Sequence, residues 1–185
     1  MNYYSNEIIN GIIDTSDLND IIDNVNEFKS DVHMLFVYFA FHDINLDYIH
    51  NLLEDDKNMV AFRCIDNSAF NVRNCPSAMI YRKYVCREYH ECTYYILMIC
   101  TKQSFKKLGY ASAMLDDFIA KIRQYKNENP GYTYKIVLSS LDGAVSYYEK
   151  YGFNIIYDVL EDHPVLAHFE IPEDDKPSYI MELII

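Results

Sequence analysis

Tyr94-Tyr95-Ile96-Leu97-Met98-Ile99-Cys100-Thr101-Lys102-Gln103-Ser104-Phe105-Lys106-Lys107-Leu108-Gly109-Tyr110-Ala111-Ser112-Ala113-Met114-Leu115 changes its pattern midway. The first part is rich in β-branched and aromatic residues and reads as a buried strand. From Ala111 onward Met114, Leu115, Phe118, Ile119 and Ile122 fall at helical spacing, so a strand feeds a helix. The connection carries Lys106, Lys107 and then Gly109, where backbone can approach a ligand without a Cβ in the way. The amide hydrogens that open the helix have no carbonyl a turn earlier, and such a terminus binds phosphate. Two lysines and a glycine also punctuate ordinary surface turns, and a second stretch bears on the choice.

Ala144-Val145-Ser146-Tyr147-Tyr148-Glu149-Lys150-Tyr151-Gly152-Phe153 follows an apolar strand, Lys135 to Leu138. It sets Ala144, Tyr147, Tyr148 and Tyr151 on one helical face before Gly152 ends the helix. Together the two stretches resemble the GNAT superfamily of acyl-CoA-dependent N-acyltransferases. The first is similar to that family's strand, (Arg/Gln)-x-x-Gly-x-(Gly/Ala), helix motif, and the second to its Ala-x-x-x-Tyr-Glu-x-x-Gly-Phe helix, in the family's order and separation. The resemblance implies an α/β fold: one GNAT-like domain over residues 1–185, a twisted mixed sheet of about seven strands flanked by helices on both faces.

It also implies an activity, transfer of an acetyl group from acetyl-CoA to a primary amine by direct attack through a tetrahedral intermediate. Ile99, Cys100 and Thr101 would pair with the pantetheine arm as a further strand would, and a backbone amide near Cys100 or Thr101 would meet the oxyanion. Lys107, Leu108, Gly109, Tyr110, Ala111 and Ser112 would cradle the pyrophosphate. Lys106 stands where the family prefers arginine or glutamine and keeps a donor without the planar fork. Tyr148 takes the general-acid position, and a phenol with a reference pKa of about 10 holds its proton at neutral pH.

Three departures set the sequence apart from the family. Lys107 replaces a small residue; a cation there would interact with a phosphate by up to about 4 kcal/mol at about 4 Å in an intermediate dielectric, before desolvation. Leu141 lies where many relatives carry a cofactor-touching asparagine, and Tyr95 and Ile136 hold the strand positions of a glutamate base. A base would then act through ordered water, or the amine would lose its proton to solvent before binding. A missing base lowers the rate by about 10² to 10⁴-fold. Glu88, His90 and Glu91 read as exposed loop residues within reach of a water chain. The departures also motivate an alternative, a non-catalytic acyl-CoA-binding or interaction module on the same fold.

Composition bounds the remaining classes. The 185 residues are half hydrophobic, enough for one substantial core. A formal charge of −12 opposes nucleic-acid binding, which needs a basic surface, and favours a cationic acceptor, a small amine or the lysine or N-terminus of a protein. The resemblance also implies that the loop from Glu161-Asp162-His163-Pro164 through Glu173-Asp174-Asp175-Lys176 walls the acceptor pocket, where its carboxylates would hold such an amine; by composition the same loop reads equally as acidic and solvated. Five cysteines, an odd number without Cys-x-x-Cys spacing, point to reduced thiols and no metal site. Cys100 reads as a small buried thiol near the thioester position. His33, His42, His50 and His168 have no partner spacing. With no apolar run of bilayer length and no signal-like start, the expectation is a soluble, cytoplasmic protein that engages no membrane.

Along the chain, Ile8 to Ile13 reads as a first strand, and Asp14 to Asp17 cap a helix through Leu18, Ile21, Ile22, Val25 and Phe28. Val32 to Phe41 is apolar nearly throughout, so periodicity leaves its type open. Asn45 caps a helix with Leu46, Ile49, Leu52 and Leu53; strands follow at Met59 to Ile65 and Ala78 to Cys86, with a loop over Asn67 to Pro76 between them. Consecutive strands with short links are expected to be antiparallel neighbours, whereas the strands joined by the long helix after Gly109 should be parallel. Asn154 to Leu160 reads as a strand, and Tyr179 to Ile185 either as a strand adding across a homodimer interface or as a covered core strand.

Overall fold

The structure, a computed structural model, describes residues 12–14, 46–55, 57–63, 65, 75–157, 163, 165–169 and 178–185. The expected helix over Leu18 to Phe28, the segment Val32 to Phe41 and most of the loop over Asn67 to Pro76 lie outside these residues. Among the described residues, apolar alternation and β-branched runs give seven strands: β1 (Ile12–Asp14), β2 (Asn58–Arg63), β3 (Ser77–Cys86), β4 (Glu91–Thr101), β5 (Thr133–Leu141), β6 (Asn154–Tyr157) and β7 (Ser178–Ile184). Helical spacing gives α1 (Leu46–Glu54), α2 (Tyr110–Glu128), α3 (Asp142–Glu149) and the short α4 (Leu166–Phe169). The strands form one mixed sheet in the order β1-β2-β3-β4-β5-β7-β6. The expected mixed α/β architecture is therefore present.

The chain comprises two compact units, residues 1–81 with 98–118 and residues 82–97 with 119–185. In the first, β1 runs antiparallel to β2, from Ile12 opposite Ala61 to Asp14 opposite Met59. Helix α1 buries Ile49 and Leu52, and the side-chain amide of Asn58 donates to the Leu52 carbonyl at 2.8 Å, tying the helix end to β2. Strand β2 stops at Arg63, short of the expected Ile65. Phe118 meets Tyr81 edge to face at 4.9 Å between ring centres, a pair worth about 0.5–1.5 kcal/mol beyond its buried area.

In the second unit β4 and β5 are parallel, as a helical crossover requires, with the ladder running from Glu91–Thr133 to Ile96–Leu138. Strand β7 pairs antiparallel with β5 on one side and with β6 on the other. β7 is thus paired on both sides over Ile180 to Glu182, which favours the covered core strand. Ile136, Leu138, Ile180, Met181 and Phe153 form the buried centre of this unit. Among the described residues no helix is long and apolar enough to cross a membrane.

Candidate active site

In the first unit the site begins where β4 ends. Ser77, fully buried at the start of β3, donates its hydroxyl to the Cys100 carbonyl at 2.8 Å and lies 2.9 Å from the Thr101 hydroxyl. Lys102 N–H donates to the Pro76 carbonyl at 2.9 Å, so the last residues of β4 are fixed from the β3 side. The Cys100 thiol points to the Ala78 carbonyl at 3.7 Å, and burial pushes its pKa well above the ordinary thiol range. It stays protonated and is a poor nucleophile, in keeping with its reading as a small buried thiol. Beyond Ile96 the ladder with β5 has ended while β4 runs on through Ile99, Cys100 and Thr101.

One 3-10 turn over Gln103–Phe105 then reverses the chain, and the Phe105 ring sits edge-on to Tyr110 at 5.7 Å. Two residues of the next four are left-handed: Lys107 at φ 65° and Gly109 at φ 86°. A Cβ on Gly109 would meet nothing within 4 Å, so the glycine is required by backbone conformation and not by crowding. Lys107 has no such freedom, and a left-handed L-residue costs roughly 1–2 kcal/mol. Alternation of hand in a turn aims successive amides to one side, the arrangement that makes an anion-binding nest.

Helix α2 opens at Tyr110, one residue before the sequence suggests, and its first backbone bond runs from Ala113 N–H to the Gly109 carbonyl at 2.9 Å. The amides of Tyr110 and Ala111 precede that bond, and Ser112 follows in the same turn. No acidic residue stands in this first turn, so nothing there offsets the positive end of the helix. Lys106, Lys107, Leu108 and Gly109 are exposed, whereas Tyr110, Ala111 and Ser112 are half-buried.

In the second unit, α3 spans Asp142–Glu149 and starts two residues ahead of Ala144, leaving Tyr151 in the turn that follows. Gly152 at φ 91° turns the chain, and the Tyr148 carbonyl accepts from Tyr151 and Phe153 N–H at 2.9 and 3.3 Å. The Tyr148 ring is wedged edge-on between Tyr147 at 5.1 Å and Phe153 at 5.7 Å, and the residue is only 7% exposed. Burial, assisted by neighbouring Tyr147, pushes the phenol pKa far up, so it is protonated throughout the physiological range.

No family model matches the chain, and no curated protein does. Solved structures do. A protein assigned to the GNAT family of acetyltransferases from Desulfovibrio desulfuricans superposes with a TM-score of 0.57 at 12% identity, over 85% of this chain and 92% of that one. The ribosomal-protein-S18-alanine N-acetyltransferase from Escherichia coli gives 0.54 at 15%, over 85% and 87%. Arabidopsis thaliana Naa50, solved with the bisubstrate analogue CoA-Ac-MVNAL, gives 0.53 at 16%, over 88% and 94%. The chain has the GNAT fold.

Within this GNAT fold the residues expected to hold a cofactor, Ile99 to Thr101 and Lys106 to Ser112, lie in one unit as a strand end, a turn and a helix start. Tyr148 belongs to the other unit. Neither expected base position carries a base: Ile136 is fully buried, and Tyr95 is packed edge-on against His163 at 5.6 Å. Glu91, expected in a loop, lies in β4 and pairs with Lys135 at 2.8 Å, while Glu182 reaches the same ammonium at 3.4 Å. Glu88 and His90 are exposed in the Arg87–His90 turn, as expected. Leu141 is 54% exposed and occupies the N-cap of α3, where its side chain makes no capping bond.

Sequence reasoning passed over Ser77 and His163. A single serine at a strand start carries no pattern; only the strand pairing discloses it. His163 falls in the stretch read as an acidic loop, where the structure instead forms α4. Among the described residues no cluster of three or more His, Cys, Asp or Glu is arranged to hold a metal.

Proposed function

We propose that this chain is an acetyl-CoA-dependent N-acetyltransferase acting on a primary amine. The observation that carries the proposal is the left-handed turn at Lys107 and Gly109 opening α2 with no carboxylate in its first turn, a site whose charge and amide directions suit a pyrophosphate. Lys106 and Lys107 would add cationic donors, and the half-buried end of β4, Ile99 to Thr101, would offer backbone groups to a pantetheine amide.

In the proposed reaction a neutral amine attacks the thioester carbonyl, a C–N bond forms, the C–S bond breaks, and the thiolate takes a proton. A backbone amide near Cys100 or Thr101 would hold the oxyanion. Tyr148 would donate the hydrogen bond that delivers the leaving-group proton. Because its pKa lies far above a thiol's, Tyr148 is the relay for the proton lost by the attacking amine and not its ultimate source. With Ile136 and Tyr95 in the base positions, the amine would be deprotonated through water or before binding.

Proteins of similar fold have been solved with a peptide-bearing bisubstrate analogue, and another is named for a ribosomal-protein alanine. Peptide N-termini therefore head the acceptor classes, ahead of lysine side chains and polyamines, and the net charge of −12 suits all three. Missing base residues favour a second reading, a cofactor-binding module without turnover. Thiol release from acetyl-CoA, measured against peptides, polyamines and aminoglycosides with cofactor binding checked in the same samples, separates the two. Release with one class supports the enzyme; binding without release supports the module; absence of binding overturns the reading of the Lys106 to Ser112 loop.

A further inference from the structure

His163 is a histidine used as a helix cap. Its carbonyl accepts from Ala167 N–H at 3.0 Å, the first bond of α4. Its ring nitrogen Nδ1 accepts from Val165 N–H at 3.4 Å and Leu166 N–H at 3.3 Å. That is the work a serine or aspartate oxygen does at an N-cap, satisfying two amides that have no carbonyl of their own. An imidazole can accept at Nδ1 only when that nitrogen carries no proton. The same ring is 7% exposed and stands edge-on to Tyr95 of β4, so the cap also seats α4 on the sheet of its own unit.

We propose that His163 is a pH-dependent clasp: neutral, it fastens α4 to the face of the sheet beside Tyr95, and protonation of Nδ1 releases it. The proton would arrive at the one atom that both amides need, turning an acceptor into a donor that faces two other donors. The tautomer follows from the same geometry. With Nδ1 accepting, the proton of the neutral ring sits on Nε2, so His163 holds its segment in place and is no general base at Nδ1.

The surroundings pull both ways and the net effect favours the neutral ring. Burial disfavours the imidazolium, a backbone hydrogen bond within His163 favours it, the Lys135 ammonium on β5 opposes it, and the Glu182 carboxylate on β7 favours it, with a net lowering of the His163 pKa. Glu91 acts on this balance through its pairing with Lys135, and the Tyr95 phenol is held neutral by burial. His168, exposed within α4 itself, is the other histidine of the helix. A lowered pKa means that the clasp is fully present above the ordinary histidine value of about 6.5 and is lost as pH falls from there through the folded-state value.

The test is amide hydrogen exchange at Val165 and Leu166 in the intact chain from pH 7.5 to 5, corrected for intrinsic rates. The wild type should lose protection about tenfold per pH unit below about 6.5, until His163 itself titrates. His163→Asn, which retains an acceptor and cannot titrate, should keep protection and flatten the profile. His163→Phe, which retains an edge-on ring and has no acceptor, should lose protection at every pH. Wild-type protection in His163→Phe would show that ring packing and not the cap holds α4, overturning the proposal. A profile equally steep in His163→Asn would move the switch to His168 or Glu182 and overturn it as well. None of these readouts depends on acetyl transfer, so they stand apart from the activity test.

Discussion

The Ser77 hydroxyl donates to the Cys100 carbonyl across 2.8 Å, joining the first residue of β3 to the next-to-last residue of β4. One buried side chain therefore fixes the backbone that the proposed reaction would use for the pantetheine arm and the oxyanion.

Ser77→Ala should lower stability by about 1–2 kcal/mol, because the partly buried carbonyl loses its donor. Urea denaturation reads this loss. If the end of β4 serves the cofactor, coenzyme A affinity measured by calorimetry should fall as well, while Cys100→Ser, which keeps the backbone bond, should preserve it.

At Lys107 stability and binding should move in opposite directions. Lys107→Gly relieves the left-handed strain, and the melting temperature should hold or rise. Removing the cation should weaken coenzyme A binding several-fold, with a smaller effect at high salt. Equal affinity for the wild type and the glycine variant would take Lys107 out of the phosphate site.

Leu141→Asn should stabilise the fold by about 0.5–2 kcal/mol, since asparagine caps helices well and the exposed leucine at this N-cap caps nothing. Thermal denaturation of the isolated change measures it. A gain in cofactor affinity on top of that would indicate that the asparagine also reaches the ligand, as the family pattern implies.

Tyr148 makes a prediction about alkali. Its pKa is raised on folding, so the folded state binds a proton that the unfolded state gives up at about pH 10. Its contribution is fully present below that pH and declines as pH rises further. Tyr148→Phe should therefore make stability less sensitive to pH above about 10, as read from denaturation midpoints at pH 8 and 11. In an acetyl-transfer assay the same variant should lower kcat at least tenfold without moving the limbs of the pH profile between 6 and 9. An unchanged kcat would remove Tyr148 from the proposed reaction.

Much of this was legible because it is local. Met114, Leu115, Phe118, Ile119 and Ile122 announce α2 by spacing, and all five are buried. The parallel pairing of β4 with β5 follows from the long helix between them. Gly109 and Gly152 marked turns, and both are left-handed. What the sequence withheld is what depends on which strands are neighbours. Glu91 and Lys135 are far apart in the chain and become partners only through the β4–β5 register, so Glu91 read as a loop residue. His163 lay among carboxylates that suggested solvent, and nothing in that composition signals a ring nitrogen capping a short helix. The end of β2 at Arg63 is a smaller instance, since apolar Phe62 and Ile65 carry no boundary.

The place of β7 governs the order in which the second unit can assemble. β6 precedes β7 in the chain, yet among the described residues the only ladder it makes is with β7, which itself pairs with β5. A short strand cannot persist without a partner, so β6 waits for a segment synthesised after it. Closing β5 to β7 brings together segments separated by α3, β6 and α4, a non-local pairing whose closure entropy is met before its bonds form. Until it forms, the outer edge of β5 is open, and that is the interval in which a nascent chain is most exposed to mispairing.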